Sequence, residues 1–227
     1  MEFTTGQIRP VEVYKEAWAT MKPEFIVVWI TVIIGMIASS TIILMGPVMI
    51  GVFMCLVDKV DGKPAKLDKL FKGFSKWKAG VVVAAIAMIP VLIFVTLAVV
   101  SYVPTMMASL GGDVIPPDQL LSMILGILAV EFVVGVVMTI IHTLMIFAFP
   151  LIADRNLGGI AALKLSARAV WANKKGVGGV FGVGILVAIA GYLLLCVGIY
   201  LAVPVIMMAT TVAYRKVFPQ AADLEPQ

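Results

Sequence analysis

Glu131 and His142 are the two side chains whose type and spacing suit chemistry inside an apolar medium. The chain has four long apolar windows, Phe25–Val57, Ala79–Gly112, Gln119–Ala153 and Gly176–Tyr214, and Glu131 is the only charged residue in any of them. His142 is the only histidine of the chain and lies in the same window. Their offset turns an α-helix by about 1100°, roughly 20° past three turns, so they share a face about 16 Å apart. Gly135 and Met138 fall between them on that face. Ionisable groups at such positions are costly and fit a proton or ion path, here with Thr139 and Thr143 as further lining. The alternative is packing: a neutral carboxylic acid at Glu131 hydrogen-bonds a neighbouring helix. The packing role is the preferred expectation.

Nothing else in the sequence approaches a catalytic constellation. One histidine and one intramembrane carboxylate cannot build a nucleophile–base pair or a metal-ligand cluster. Cys55 and Cys196 both lie inside apolar windows, which suits small core residues rather than a disulfide or a zinc site. The run Gly176–Gly184 lacks the Lys-Ser/Thr that follows a phosphate-binding loop. Gly178, Gly182 and Gly184 instead offer a smooth face for close helix approach. The methionines, spread over nearly every window, read as core filling. No catalytic residue, cofactor or metal is expected, and the protein is not expected to be an enzyme.

The elements that must hold these residues follow from composition. Of 227 residues, 62% are apolar and 13% charged, whereas soluble chains run at about 45–50% and about 25%. The segregation of charge out of four windows excludes a water-soluble domain and predicts an all-α membrane protein. The basic residues sit in short loops between windows, which is not a nucleic-acid footprint. The start, Met1–Pro10, lacks the basic and apolar regions of a signal peptide, so none is expected.

Lysine and arginine fill the segments before the first window, after the first, after the third and after the last, while the Gly111–Asp118 loop has neither. Basic short loops stay cytoplasmic. Both termini are therefore expected in the cytoplasm, with the Gly111–Asp118 loop outside. Windows two and three then cross once each, at residues 79–104 and 119–151. Windows one and four, at 25–57 and 176–214, must enter and return as tight hairpins, since two full crossings need about 40 residues plus a turn. Their turns are expected at Ser39-Ser40-Thr41 and around Cys196–Gly198. Pro90 and Pro204 are expected to kink their helices. The count is about six membrane segments, followed by a tail at 215–227.

Three polar segments, 7–22, 67–78 and 158–175, carry helical apolar stripes: Val11, Tyr14, Trp18 and Met21; Leu67, Leu70, Phe71, Phe74 and Trp77; Ile160, Leu163, Ala167, Val170 and Trp171. They are expected to be amphipathic helices in the headgroup plane, anchored by Trp18, Trp77 and Trp171, each with a lysine shortly after it. The unit of amphipathic helix, Trp, Lys and membrane segment recurs three times. The stretches Pro47–Val60 and Pro204–Val217 also align without a gap, which suggests an internal parallel pseudo-repeat.

At these residues a resemblance enters. Gly46-Pro47, Gly51, Asp61-Gly62 and Leu70–Phe74 carry it, as do Pro150–Asp154, Ala161, Leu163, Ser166, Trp171, Asn173, Gly198, Pro204 and Ala213-Tyr214-Arg215. The chain resembles an uncharacterised group of prokaryotic six-helix integral membrane proteins. That group is similar to the membrane domain found beside glycerophosphodiester phosphodiesterases and, distantly, to Yip1-like proteins. The resemblance implies a bacterial inner-membrane protein and brings no catalytic residues, because no phosphodiesterase domain is present. The expected function is a non-enzymatic oligomeric scaffold or membrane-shaping component. Its partners would be membrane lipids, further copies of itself and a larger membrane complex. A transporter or channel, with Glu131 and His142 on its path, is the alternative; Thr96, Ser101, Thr210 and Thr211 would give it only a thin polar lining.

Overall fold

The computed structural model describes residues 3–111, 116–194 and 197–220, whose regular elements are all helices, with no strand among them. The helices are α1 (Pro10–Met21), α2 (Phe25–Ala38), α3 (Ile42–Val60), α4 (Asp68–Lys72), α5 (Trp77–Leu110), α6 (Pro117–Leu144), α7 (Ala148–Arg155), α8 (Gly159–Ala172), α9 (Lys174–Leu193) and α10 (Ile199–Val217). Their boundaries follow local rules. Pro10 opens α1, where a missing N–H costs nothing. Gly62, at φ 76°, follows α3, and Asn156, at φ 53°, ends α7; both supply the left-handed residue that a helix C-terminus commonly needs. The α2–α3 turn falls at residues 39–41, as expected, with Ser40 Oγ donating to the Ile37 carbonyl at 2.7 Å.

Two compact units emerge, Met1–Ala84 with Thr143–Gln227, and Ala85–His142. The first has a dense core. Its centre is α10, which buries Ala202, Pro204, Met208–Tyr214 and Val217, packed on α1, α9, α3 and α2. Phe147, Tyr214 and Phe218 stack at ring separations of 5.2–6.1 Å. Trp29 of α2 donates from Nε1 to the Tyr200 carbonyl of α10 at 3.0 Å. Asn173, at the α8–α9 junction, donates to the Thr4 carbonyl and accepts from Gly6 N–H, both at 3.0 Å, which pins the N-terminal segment.

The second unit holds most of α5 and α6. Along α6 no residue is buried, and this part of α5 exposes Ile89, Leu92, Val99 and Val100 among others. Apolar helices without a core of their own are covered by lipid or by protein.

Five helical stretches among the described residues are long and apolar enough to cross a membrane: Pro10–Ala38, Ile43–Val60, Asp68–Ala108, Pro117–Arg155 and Lys174–Leu193. The sixth expected segment, α10, is not one of them, because Arg215 and Lys216 in its last turn lower its mean hydropathy. The stretch Pro117–Arg155, which contains the crossing expected over 119–151, is not one continuous helix. Helix α6 stops at Leu144, and α7 begins at Ala148 after a turn. Pro150 has no N–H to give to the preceding turn. Ser166 of α8 takes over the local hydrogen bonding, donating to the Leu144 carbonyl at 2.7 Å and accepting from Phe147 N–H at 3.1 Å. Of the turn expected around Cys196–Gly198, Val197 and Gly198 form a turn before α10, while Cys196 lies outside the described residues, as do 112–115 of the Gly111–Asp118 loop and 221–227 of the tail.

The three amphipathic stripes divide between two surroundings. Helix α1 buries Val13, Tyr14, Ala17 and Met21 but exposes Val11 and Trp18; α8 buries Ala162, Ser166, Ala169 and Val170 but exposes Ile160 and Trp171. The α4 segment buries Leu70 and exposes Leu67, Phe71, Phe74 and Trp77. A helix between a core and a second apolar phase needs two apolar edges, so one stripe cannot describe it.

Candidate functional site

Glu131 and Tyr102 meet in the second unit: the Tyr102 hydroxyl donates to Glu131 Oε2 at 3.4 Å. The tyrosine comes from α5 and the glutamate from α6, so one long polar contact joins two apolar helices. His142 turns to its own helix, with Nδ1 3.0 Å from the Met138 carbonyl. Each of the two predicted polar residues thus has its own partner. Gly184 packs on α1, where an added Cβ would come within 2.8 Å of the Tyr14 hydroxyl; Gly178 and Gly182 face open space. Trp18, Trp77 and Trp171 are all exposed, and the Lys78 and Lys174 ammoniums lie 6.0 and 5.1 Å from the Trp77 and Trp171 rings.

The densest polar constellation lies elsewhere, where α3, α7 and α10 end together. Arg215 of α10 grips Asp154, just past α7's last apolar residue, with Nη1 2.9 Å from Oδ2 and Nη2 3.2 Å from Oδ1. The same Nη2 donates to Asp61 Oδ2, beyond the end of α3, at 2.8 Å. The Tyr214 hydroxyl donates to Asp154 Oδ2 at 2.7 Å, and the Arg155 guanidinium covers the Phe218 ring at 5.3 Å. The side chains of Asp61 and Arg215 are only 6% and 12% exposed. Carboxylates at helix C-termini oppose the helix dipole, so a cation between them is required. Burial disfavours the charged form of both Asp154 and Arg215, but their mutual hydrogen bonds and attraction win: the carboxyl is held below its ordinary range and the guanidinium above. Lys76 then donates to the Ile152 and Ala153 carbonyls at 2.8 and 3.0 Å, satisfying the exposed end of α7.

Beside this clamp opens a cavity of about 510 Å³, lined by Met54, Val57, Asp58, Asp61, Lys63, Lys69, Lys72, Ser75, Ala153 and Asp154. Asp58 is paired with Lys69, and more distantly with Lys63 at 3.8 Å. A separate apolar groove of about 210 Å³ lies along α9 between Tyr14, Val180, Phe181, Gly184 and Ile206. Among the described residues no group of three His, Cys, Asp or Glu side chains is placed to hold a metal ion.

No family model, curated protein or solved structure matches the chain. Its functional reading therefore rests on its own geometry.

Ser166 was named in the sequence only as part of the resemblance, yet it is wholly buried and holds the α6–α7 break. Ser166→Ala should cost about 1–3 kcal/mol, because it strands a buried N–H and a carbonyl. Chemical unfolding in detergent measures this, and a loss below the scatter of repeat titrations would mean that water replaces the hydroxyl.

Proposed function

We propose that the chain is a non-enzymatic integral membrane protein of a prokaryotic inner membrane, acting as an oligomeric scaffold or membrane-shaping component. The observation that carries this reading is α6, none of whose 28 residues is buried, while the first unit is densely packed. A chain built this way keeps one helical pair free for lipid, for copies of itself or for a larger complex. The open faces at Gly178 and Gly182 support close approach between copies. Helix lengths support shaping: α2 spans about 21 Å and α5 about 51 Å, against a hydrocarbon thickness of about 30 Å. Such a mismatch within one protein is relieved by local thinning, tilting or association. Both termini and the basic loops are placed in the cytoplasm, the Gly111–Asp118 loop in the periplasm, and the two hairpin-containing halves are read as a pseudo-repeat.

The Tyr102–Glu131 contact favours one second reading, a transporter or channel whose coupling proton resides on Glu131. Reconstitution separates the two. Vesicles holding the wild type should deform more than empty ones and show no loss of a pH gradient above the lipid background, and mass photometry should find an oligomer that Gly182→Leu reduces. A proton flux present in the wild type and absent in Glu131→Gln would establish the transporter and overturn the scaffold, since that change keeps the hydrogen-bonding shape and removes the titrating proton.

A further inference from the structure

We propose that the cavity beside the Arg215 clamp is a phosphate-ester site, formed by Lys63, Lys69, Lys72 and Ser75. This goes beyond the scaffold reading and does not depend on it, since the site lies within the first unit and would serve a scaffold or a transporter alike.

The charge balance of the cavity decides the ligand class. Its three aspartates already have internal counter-ions. Asp61 and Asp154 share the Arg215 guanidinium, and Asp58 holds Lys69. Two lining lysines remain weakly engaged. Lys63 stands 3.8 Å from Asp58 and is 63% exposed; Lys72 pairs with Asp68 at 3.3 Å on the helix surface and is 61% exposed. Exposed pairs of this kind contribute about 0–1 kcal/mol and are readily exchanged for a better anion. Ser75, whose hydroxyl donates to the Lys72 carbonyl at 2.7 Å, adds a polar oxygen at the same wall. Ammonium groups around a polar recess suit a phosphate, the strongest common acceptor of charge-assisted hydrogen bonds. A cation is the wrong class here, because each carboxylate faces a cation of the protein itself.

The remaining lining and the rim narrow the class further. Met54, Val57 and Ala153 give the recess an apolar wall, which suits the carbon skeleton of an ester rather than free phosphate. The volume of about 510 Å³ accommodates a glycerophosphate group, well within the range of small-molecule sites. The segment that supplies Lys69, Lys72 and Ser75 also turns Phe71 and Phe74 outward, 71% and 40% exposed. Exposed aromatic side chains on the segment that forms one wall of the recess fit a phospholipid whose acyl chains pass over them. A soluble phosphate ester would use the recess alone.

Binding to the full-length protein in maltoside micelles tests the assignment. Native mass spectrometry compares phosphatidic acid with diacylglycerol, which lacks the phosphate, and calorimetry measures sn-glycerol 3-phosphate. The expected result is at least tenfold preference for phosphatidic acid over diacylglycerol, cut about tenfold by K63Q/K72Q. The control variant K164Q/K175Q removes the same charge on α8 and α9 and should leave that preference intact. If F71A/F74A weakens the lipid and glycerol 3-phosphate does not bind, the natural source is a lipid headgroup. If glycerol 3-phosphate binds with the same dependence on Lys63 and Lys72, the source is a soluble ester. Equal retention of both lipids without glycerol 3-phosphate binding, or equal losses in K63Q/K72Q and K164Q/K175Q, would overturn the site. Both substituted lysines are surface-exposed, and Ser75→Ala provides a second, smaller perturbation should the double variant unfold.

Discussion

Arg215→Met is expected to cost about 3–5 kcal/mol of stability, since it leaves the little-exposed Asp61 without its ion-pair partner and Asp154 with only the Arg155 guanidinium at 3.8 Å. The loss does not come from the guanidinium's own packing. Buried ion pairs contribute little net energy when both partners can be replaced by neutral groups, but removing one partner exposes the full desolvation cost of the other. The triple variant Arg215→Met, Asp61→Asn, Asp154→Asn should therefore recover most of the loss. Arg215→Lys should recover only part of it, because an ammonium cannot reproduce the two-pronged contact with Asp154. Unfolding midpoints in detergent at pH 7 check the series, and a single variant as stable as the wild type would show that water reaches the carboxylates. The pH profile follows in sign. The folded protein holds the Asp154 carboxyl below its ordinary 3.8, so its contribution is complete above about pH 4 and fades as acid is added. In the triple variant, which has no carboxyl at position 154, that acid-side loss should disappear.

Gly51→Ala should be nearly as damaging, at about 3 kcal/mol, for a reason that concerns backbone alone. A Cβ at residue 51 would collide with the Leu70 carbonyl, one at Gly73 with the Pro47 carbonyl, and one at Gly46 with the backbone of Gly80. Helix α3 and the α4–α5 segment touch there without side chains between them. The contact fixes where Lys69, Lys72 and Ser75 stand relative to Asp58 and Asp61, so the cavity should lose its shape with the crossing. Gly178→Ala makes the matched control. It meets no atom within 4 Å and replaces a poor helix former, so it should be neutral or stabilising by up to about 1 kcal/mol. Finding Gly51→Ala as stable as Gly178→Ala would show that the two helices can separate without penalty.

These residues also mark how far the sequence could be read. Helical class, the apolar windows, the turn at Ser39-Ser40-Thr41 and the exposure of Trp18, Trp77 and Trp171 were legible, because each depends on local pattern. The α6–α7 break was not, since its cause is a hydroxyl from α8, and periodicity carries no information about a partner that distant. The burial of α10 was hidden for the same reason: which of its apolar residues meet protein depends on neighbours far away in the sequence. The clamp was half legible. Asp61, Asp154, Tyr214 and Arg215 all belong to the motifs behind the resemblance, as do Gly46, Gly51 and Gly73, but nothing local says that the acids meet the arginine. Glu131 and His142 stand out in the sequence because polar groups are conspicuous in an apolar window. The cavity residues, lying among many other lysines and aspartates, gave no such contrast.

The pairing of Asp61 with Arg215, 154 residues apart, has a consequence for how the protein is made. The core of the first unit draws on both ends of the chain, while the second unit lies between them. During synthesis, the early helices emerge with their acidic end uncompensated and their apolar faces open. They must wait until α10 has left the ribosome. Only then can α10 enter the centre and Arg215 bridge the two aspartates. Helix α10 is thus the keystone of assembly, and a chain interrupted before it leaves the early helices as an open, charged intermediate suited to capture by a chaperone or membrane protease.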